Sequence, residues 1–488
     1  MAQSTVNEVQ LQAFLTCVAK ARSESDSDNC IAGRSSIQRL LPFTNVKSEK
    51  LRLGYVLDSL ANLCAREHKE VVAVALKWSR SRRNEDTIEL LISTNSNVPM
   101  STIEHLETVW QMMRKLSAVH HQKKCGSRRN INSPQKADPA QFDAADQEVE
   151  DSFRFLILAF SWKKLCRRAN AKFDKFRLIS TTNLEEGHFF LLIAKFVGYL
   201  EADYTREHNP RTGKPTSRFA WNHFWDLIRM LKTLVDGFKI TDDVLSGVPP
   251  GFNLQRWLLK LTSVARDIAV LLCAARSPRC RMLFRSATFV VSPLRQTVVQ
   301  PSGKITLPQT FEAWLEVVEF ALKRSNELRK DSEDEKETDK HLVADSIERI
   351  LGLVKEGTIS STDTVVHCEC RIICQIVEGL QRFRKNAYGY IGVSKPSCYA
   401  CQEFIQAVSK VHGINLLTTK PCHYKWFYPW PFPHIDRAVE IGTLMHDNAA
   451  ATYEGFRVKE RDMWPVNVDS DDESLDQVLA RLVEIGWL

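Results

Sequence analysis

No stretch of this chain is apolar for long enough to cross a bilayer. The longest candidates, Phe153–Trp162 and Phe189–Leu200, fall short of the roughly 20 residues a spanning helix needs. They predict buried helices and no membrane partner. The first residues, Met-Ala-Gln-Ser-Thr-Val-Asn-Glu, hold neither a basic start nor an apolar segment. The expectation is therefore no secretory leader and an intracellular location, cytoplasmic or nuclear. A disulfide framework is missing too. Thirteen cysteines are an odd number, scattered without regular spacing. They predict a reducing compartment, with each cysteine a small buried hydrophobe or a metal ligand. No internal repeat is visible. What remains, 44 % hydrophobic and 26 % charged over 488 residues, suits a folded protein with two or three cores.

The net charge of +7 is unevenly spread. Residues 151–300 carry 24 Lys/Arg against 12 Asp/Glu, a net +12, so the rest of the chain sums to −5. Between residues 251 and 300 only Asp267 stands against eight basic side chains. One reading is a polyanionic partner, single-stranded DNA or RNA among them. The other is a solvated helix face with some arginines paired internally.

Hydrophobic periodicity divides the chain. From Val9 to about Ser117 the pattern reads as helical: Leu51, Leu53, Tyr55, Val56, Leu60 and Leu63 recur at three- and four-residue steps, as do Val71, Val74, Leu76 and Trp78. Residues 1–122 are thus expected to be a helical region, residues 123–148 a polar linker, and residues 149–247 a second, basic helical region. The breaker Val248-Pro-Pro-Gly251 opens an α/β domain, residues 248–445. Its predicted strands are Ala287–Pro293, Thr297–Gln300, Thr364–Val366, Tyr388–Val393 and Ile414–Thr419. Its predicted helices are Leu254–Ala275, one from Thr310, His341–Lys355, His367–Leu380 and Cys398–Val411, the last stopped by Gly413. Residues 446–488 read as an acidic tail with a short helix, Leu475–Ile485. Strand–helix units in series imply an α/β layer.

Two short phrases carry chemistry: Val366-His367-Cys368-Glu369 and Ser394-Lys395-Pro396-Ser397-Cys398-Tyr399-Ala400-Cys401. A Cys-x-x-Cys pair alone can be redox-active, structural or neither. Position strengthens it here, because His367 and Cys398 both open a predicted helix just after a predicted strand. One imidazole and two thiolates neutralise Zn²⁺ and leave its fourth position open, as a catalytic site requires. Helix N-termini favour the thiolate form. Glu369, two residues past His367, can stand beside the metal and carry protons without being a ligand. Cys368, Cys370 and Cys374 are read as packing residues of the same helix.

This pattern resembles the zinc-dependent cytidine and nucleic-acid deaminase superfamily, whose signature is His-x-Glu followed by Pro-Cys-x-x-Cys. With Gly392-Val393-Ser394-Lys395 before the cysteines, it looks like the OTT-type deaminase-like branch of fungi and bacterial toxin-like proteins. The resemblance covers residues 365–433. It implies a three-layer α/β/α fold with a mixed sheet, one zinc per chain on His367, Cys398 and Cys401, and Glu369 as the proton carrier. The implied reaction is hydrolytic deamination of cytosine or adenine in single-stranded nucleic acid or in a free nucleoside or nucleotide. Ser397 stands where the superfamily usually has proline, with Pro396 one residue earlier. Beyond the last predicted strand, the run Tyr424–Phe432 interleaves aromatics with Lys425 and prolines. Ser394, Lys395, Trp426, Tyr428 and Trp430 are candidate substrate contacts, with stacking by the aromatics. The alternative for the aromatic run is a rigid cap over the core. For the whole domain, the alternative is a non-catalytic fold stapled by zinc that binds nucleic acid or protein.

Overall fold

The computed structural model describes residues 11, 49–66, 70–80, 86–129, 139–178, 180–181, 193–197, 200, 218–237, 245–246, 252–285, 288–295, 308, 310–329, 347, 366–382, 387–414, 418–420 and 430–463. The chain divides into two compact units. One takes residues 42–294 and 386–394, the other residues 1–41, 295–385 and 395–488.

The first unit, the sheet unit, contains α1 (Glu49–Cys64), β1 (Val72–Arg80), β2 (Asp86–Thr94), α2 (Met100–Arg129), α3 (Pro139–Arg177), β3 (Ser180–Thr181), α4 (Arg218–Gly237), β4 (Leu245–Ser246), α5 (Leu254–Leu261), α6 (Ser263–Arg276), α7 (Arg281–Arg285), β5 (Thr288–Pro293) and β6 (Ala387–Val393). Four strands form a mixed sheet in the order β5-β2-β1-β6. β2 pairs with β1 antiparallel and with β5 parallel, and β1 pairs with β6 antiparallel. The protein is α/β, with helix in the majority and a mixed sheet, as the sequence leads one to expect.

Period-two alternation builds the sheet's core face. Val72, Val74 and Leu76 of β1 and Ile88, Leu90 and Ile92 of β2 are buried in one cluster with Leu57, Leu60 and Leu63 of α1. Lys77 and Glu89 are register partners and form an ion pair of 3.0 Å. At Gly392 a Cβ would come within 2.3 Å of the Leu57 backbone, so only glycine lets β6 lie this close to α1. Asp58 ties the two together. Its carboxylate accepts from the Tyr390 hydroxyl at 2.8 Å and from the Val393 N–H at 3.0 Å.

The second unit holds α8 (Phe311–Arg329), α9 (Cys368–Arg382), α10 (Tyr399–Val411) and α11 (Ala438–Met463). Buried residues recur at three- and four-residue steps: Phe311, Trp314, Leu315 and Val318 on α8, and Ile441, Met445 and Ala449 on α11. Helix α10 ends as the sequence predicts. Gly413 adopts φ +63°, and the N–H groups of Gly413 and Ile414 bond back to the Lys410 and Ser409 carbonyls.

Several expectations need correction. Within the stretch read as helical from Val9 to about Ser117, Val72–Arg80 and Asp86–Thr94 form strands β1 and β2, because Val72, Val74, Leu76 and Trp78, like Ile88, Leu90 and Ile92, satisfy the two-residue period. The expected linker at residues 123–148 is helical at 123–129 and 139–148. The single helix expected at Leu254–Ala275 is two, α5 and α6, separated at Thr262. Residues 446–463, assigned to the tail, continue α11. Strands β5 and β6 stand within one residue of expectation. Val366 and Ile414 are not in strands, and 364–365 and 415–417 lie outside the described residues. So do the predicted strand at 297–300 and the predicted helix at 475–485; of the predicted helix at 341–355, only Ile347 is described.

Candidate metal centre

Helices α9 and α10 present the donor set at their N-termini. Helix α9 is anchored by the buried stripe Ile372, Ile373, Ile376 and Val377. His367 precedes it, and its carbonyl takes the first helical bond, from Arg371 N–H at 3.1 Å. Cys398 is the N-cap of α10, with φ −76° and ψ 167° and no side-chain capping bond. Its sulfur is thereby left free to face the site. Cys401 follows in the first turn. Ala400, Phe404, Ile405 and Val408 bury the helix around it.

The three side chains converge. His367 Nδ1 lies 3.1 Å from Cys401 Sγ and 3.5 Å from Cys398 Sγ, and the two sulfurs are 3.4 Å apart. All three donor atoms fall within 4.8 Å of one another. A tetrahedral zinc site with ordinary bond lengths has edges of roughly 3.8 Å between sulfurs and roughly 3.5 Å between sulfur and nitrogen. The observed triangle is slightly tighter and of the right shape. Donor types and geometry therefore fit a single metal ion.

Electrostatics agree. Cys398 and Cys401 are buried, and burial pushes both thiols well above their ordinary value. Thiolates in this setting need a cation beside them. For His367, burial disfavours the charged form, yet the bond to Cys398 and the charge of Glu369 prevail and hold the imidazole above its ordinary value.

Glu369 is only 4 % exposed and stands outside the three-donor group. Its carboxylate accepts the Cys368 thiol at 3.1 Å. A thiol is a weak donor. Beside the cluster, Ser397 Oγ meets Thr419 Oγ1 at 3.1 Å. Thr419 donates its own proton to the Lys420 carbonyl, which leaves Ser397 as the donor. A proline at position 397 could not make this bond.

The candidate substrate contacts separate. Ser394 belongs to the sheet unit, where its Oγ accepts from Val72 N–H at 2.9 Å and its own N–H donates to Val72 at 2.8 Å. Its hydroxyl therefore extends the β1–β6 ladder. Lys395 is exposed, and Trp426 and Tyr428 lie outside the described residues. Trp430 corrects its reading as a stacking surface. It is fully buried, and its indole N–H donates to Cys401 Sγ at 3.3 Å. Two of the three presumed packing cysteines also touch the site, Cys368 through Glu369 and Cys370 through its 3.5 Å contact with Cys401 Sγ. Spacing hinted at Cys370, which lies three residues from His367 and so shares its helix face.

Residues 366–434 match the model of a family described as an OTT_1508-like deaminase. No curated protein and no solved structure matches the chain.

Proposed function

We propose that the protein hydrolyses the exocyclic amine of a nucleobase, cytosine or adenine, at a zinc ion held by His367, Cys398 and Cys401, a reading supported by the match of residues 366–434 to a deaminase family. Two sulfurs and one imidazole nitrogen suit zinc better than harder divalent cations. When bound, zinc supplies a Lewis acid that brings the pKa of a water close to 7. His367 and the two cysteines fix the ion and leave one side of it for reactants.

Glu369 is assigned the proton traffic. It takes a proton from the attacking water and delivers protons to the ring nitrogen and the departing amine. Water adds at the amine-bearing carbon, the C–N bond breaks, ammonia leaves and a carbonyl remains. The observation that carries this reading is a buried carboxylate beside a three-donor set but not in it. A purely structural zinc site has no use for such a group.

The substrate is a base in single-stranded nucleic acid or in a free nucleoside or nucleotide. The basic block at 151–300 supports the polymer, but part of its charge is spent internally. Arg154 and Arg276 pair with Glu150, Arg229 with Asp226 and Arg266 with Asp267. The test is an ammonia-release assay over cytidine, adenosine, their monophosphates, single-stranded DNA and RNA, with wild type and Glu369→Gln side by side. Turnover of at least one substrate by wild type, absent in the variant, is expected. No turnover of any substrate by zinc-loaded wild type would contradict the proposal.

A further inference from the structure

The two sulfurs of the donor set are not equivalent. Among the described residues, the contacts of Cys398 Sγ run to His367 and Cys401, inside the set. Cys401 Sγ receives two further donors from outside it, Trp430 Nε1–H at 3.3 Å and the Cys370 thiol at 3.5 Å. Cys370 is not itself one of the converging donors. It stands behind Cys401.

Trp430 is held for this task. Its indole is fully buried, and the rings of Phe404 and Phe432 meet it edge-on at centroid distances of 5.9 and 6.0 Å. A neutral thiol is a poor acceptor, whereas a thiolate accepts a charge-assisted bond. A buried indole N–H usually finds a partner, and here it is aimed at a sulfur. That choice makes physical sense if the sulfur carries negative charge.

We propose that Trp430 is a positioning residue of the metal centre: its indole N–H donates to the Cys401 thiolate, fixing that ligand's orientation and withdrawing charge from it. The bound metal is then a stronger Lewis acid than two free thiolates would leave it. The inference rests on reading His367, Cys398 and Cys401 as metal ligands. It assigns Trp430 to the metal and not to the substrate.

Cobalt(II) substitution in the full chain tests it, because thiolate-to-cobalt charge-transfer bands report the charge on the sulfurs. Replacing Trp430 by benzothienylalanine keeps the ring's shape and puts sulfur in place of the N–H; Trp430→Phe is the genetic counterpart. Both are expected to move the bands to longer wavelength. Zinc affinity, read by competition with a chromogenic chelator, should fall about 10- to 100-fold, the usual effect of losing an outer partner of a ligand. Cys370→Ala should give a smaller shift in the same direction. Cys368→Ala removes a buried thiol of the same helix without touching Cys401, so the bands should stay in place. Bands present in wild type but unmoved by both Trp430 replacements would overturn this proposal alone. Bands moved as far by Cys368→Ala would do the same, since packing would then explain the shift. Absence of charge-transfer bands in cobalt-treated wild type would overturn the metal assignment itself, and this inference with it.

Discussion

The sheet unit and the candidate metal centre both bury polar side chains, but they treat them in opposite ways. In the sheet unit the buried carboxylates of Asp58, Glu150 and Asp267 find complementary groups. Asp58 takes the Tyr390 hydroxyl and the Val393 N–H, and Asp267 takes Ser59 at 3.3 Å and Asn62 at 3.4 Å. At the centre, the acceptors His367, Cys398 and Cys401 point at one another. Donors that approach them, Trp430 and Cys370, come from outside the triangle. The scaffold pairs these buried carboxylates within the chain. A binding site leaves its polar groups converging on a point that something else must fill.

The comparison is broken most severely at the metal ligands. Cys401→Ala is expected to reduce bound zinc from one equivalent to near none and to lower the unfolding temperature, because metal binding is coupled to folding. Metal analysis of the purified chain, with thermal unfolding followed by circular dichroism, checks both. Zinc retained in full would remove Cys401 from the ligand set. Next in size is Glu369→Gln. Turnover should fall by about 10²- to 10⁴-fold while zinc content and unfolding temperature hold. A variant that loses its zinc would make Glu369 a ligand.

The sheet unit should respond differently. Asp58→Ala strips the partners from Tyr390 and Val393 and should cost on the order of 3 kcal/mol of stability. Urea denaturation measures this loss, and metal analysis of the folded variant should still find one equivalent. A pH-dependent effect is expected at Lys164, whose Nζ donates to the Asn62 carbonyl at 2.6 Å. Burial, helped by Arg168, pushes its ammonium down to about 7 against the pull of Asp267. A lysine whose folded pKa is depressed is destabilising while protonated. Stability should therefore rise as the pH climbs from about 7 towards the ordinary lysine value, where the unfolded chain also loses its proton. Denaturation midpoints at pH 7 and pH 9.5 test the slope, and Lys164→Met should flatten it.

Legibility in the sequence followed the same division. The convergence of His367, Cys398 and Cys401 was readable because these side chains sit at helix starts marked by local signals, His-x-Glu and Cys-x-x-Cys, each followed by an apolar stripe of helical spacing. Strands β5 and β6 were readable from their breaks, Pro293 ending one and Pro396 soon after the other. The β1–β2 hairpin was not. Val71, Val74 and Trp78 fit a helical step as well as Val72, Val74, Leu76 and Trp78 fit a strand, and the connection Ser81-Arg-Arg-Asn-Glu85 has no glycine or proline to mark a turn. Trp430 was misread for a different reason. Its partner is 29 residues away in the chain, so whether an aromatic faces solvent or a sulfur is decided by tertiary packing. Aromatic spacing carries no trace of it.

What separates a catalytic centre from a zinc staple is the number of protein ligands, and zinc K-edge X-ray absorption on the full chain reads it directly. The open site requires two sulfurs at about 2.3 Å and one imidazole nitrogen at about 2.0 Å, with an oxygen in the fourth position. Three sulfurs and one nitrogen, with Cys370 drawn in to close the site, would contradict it.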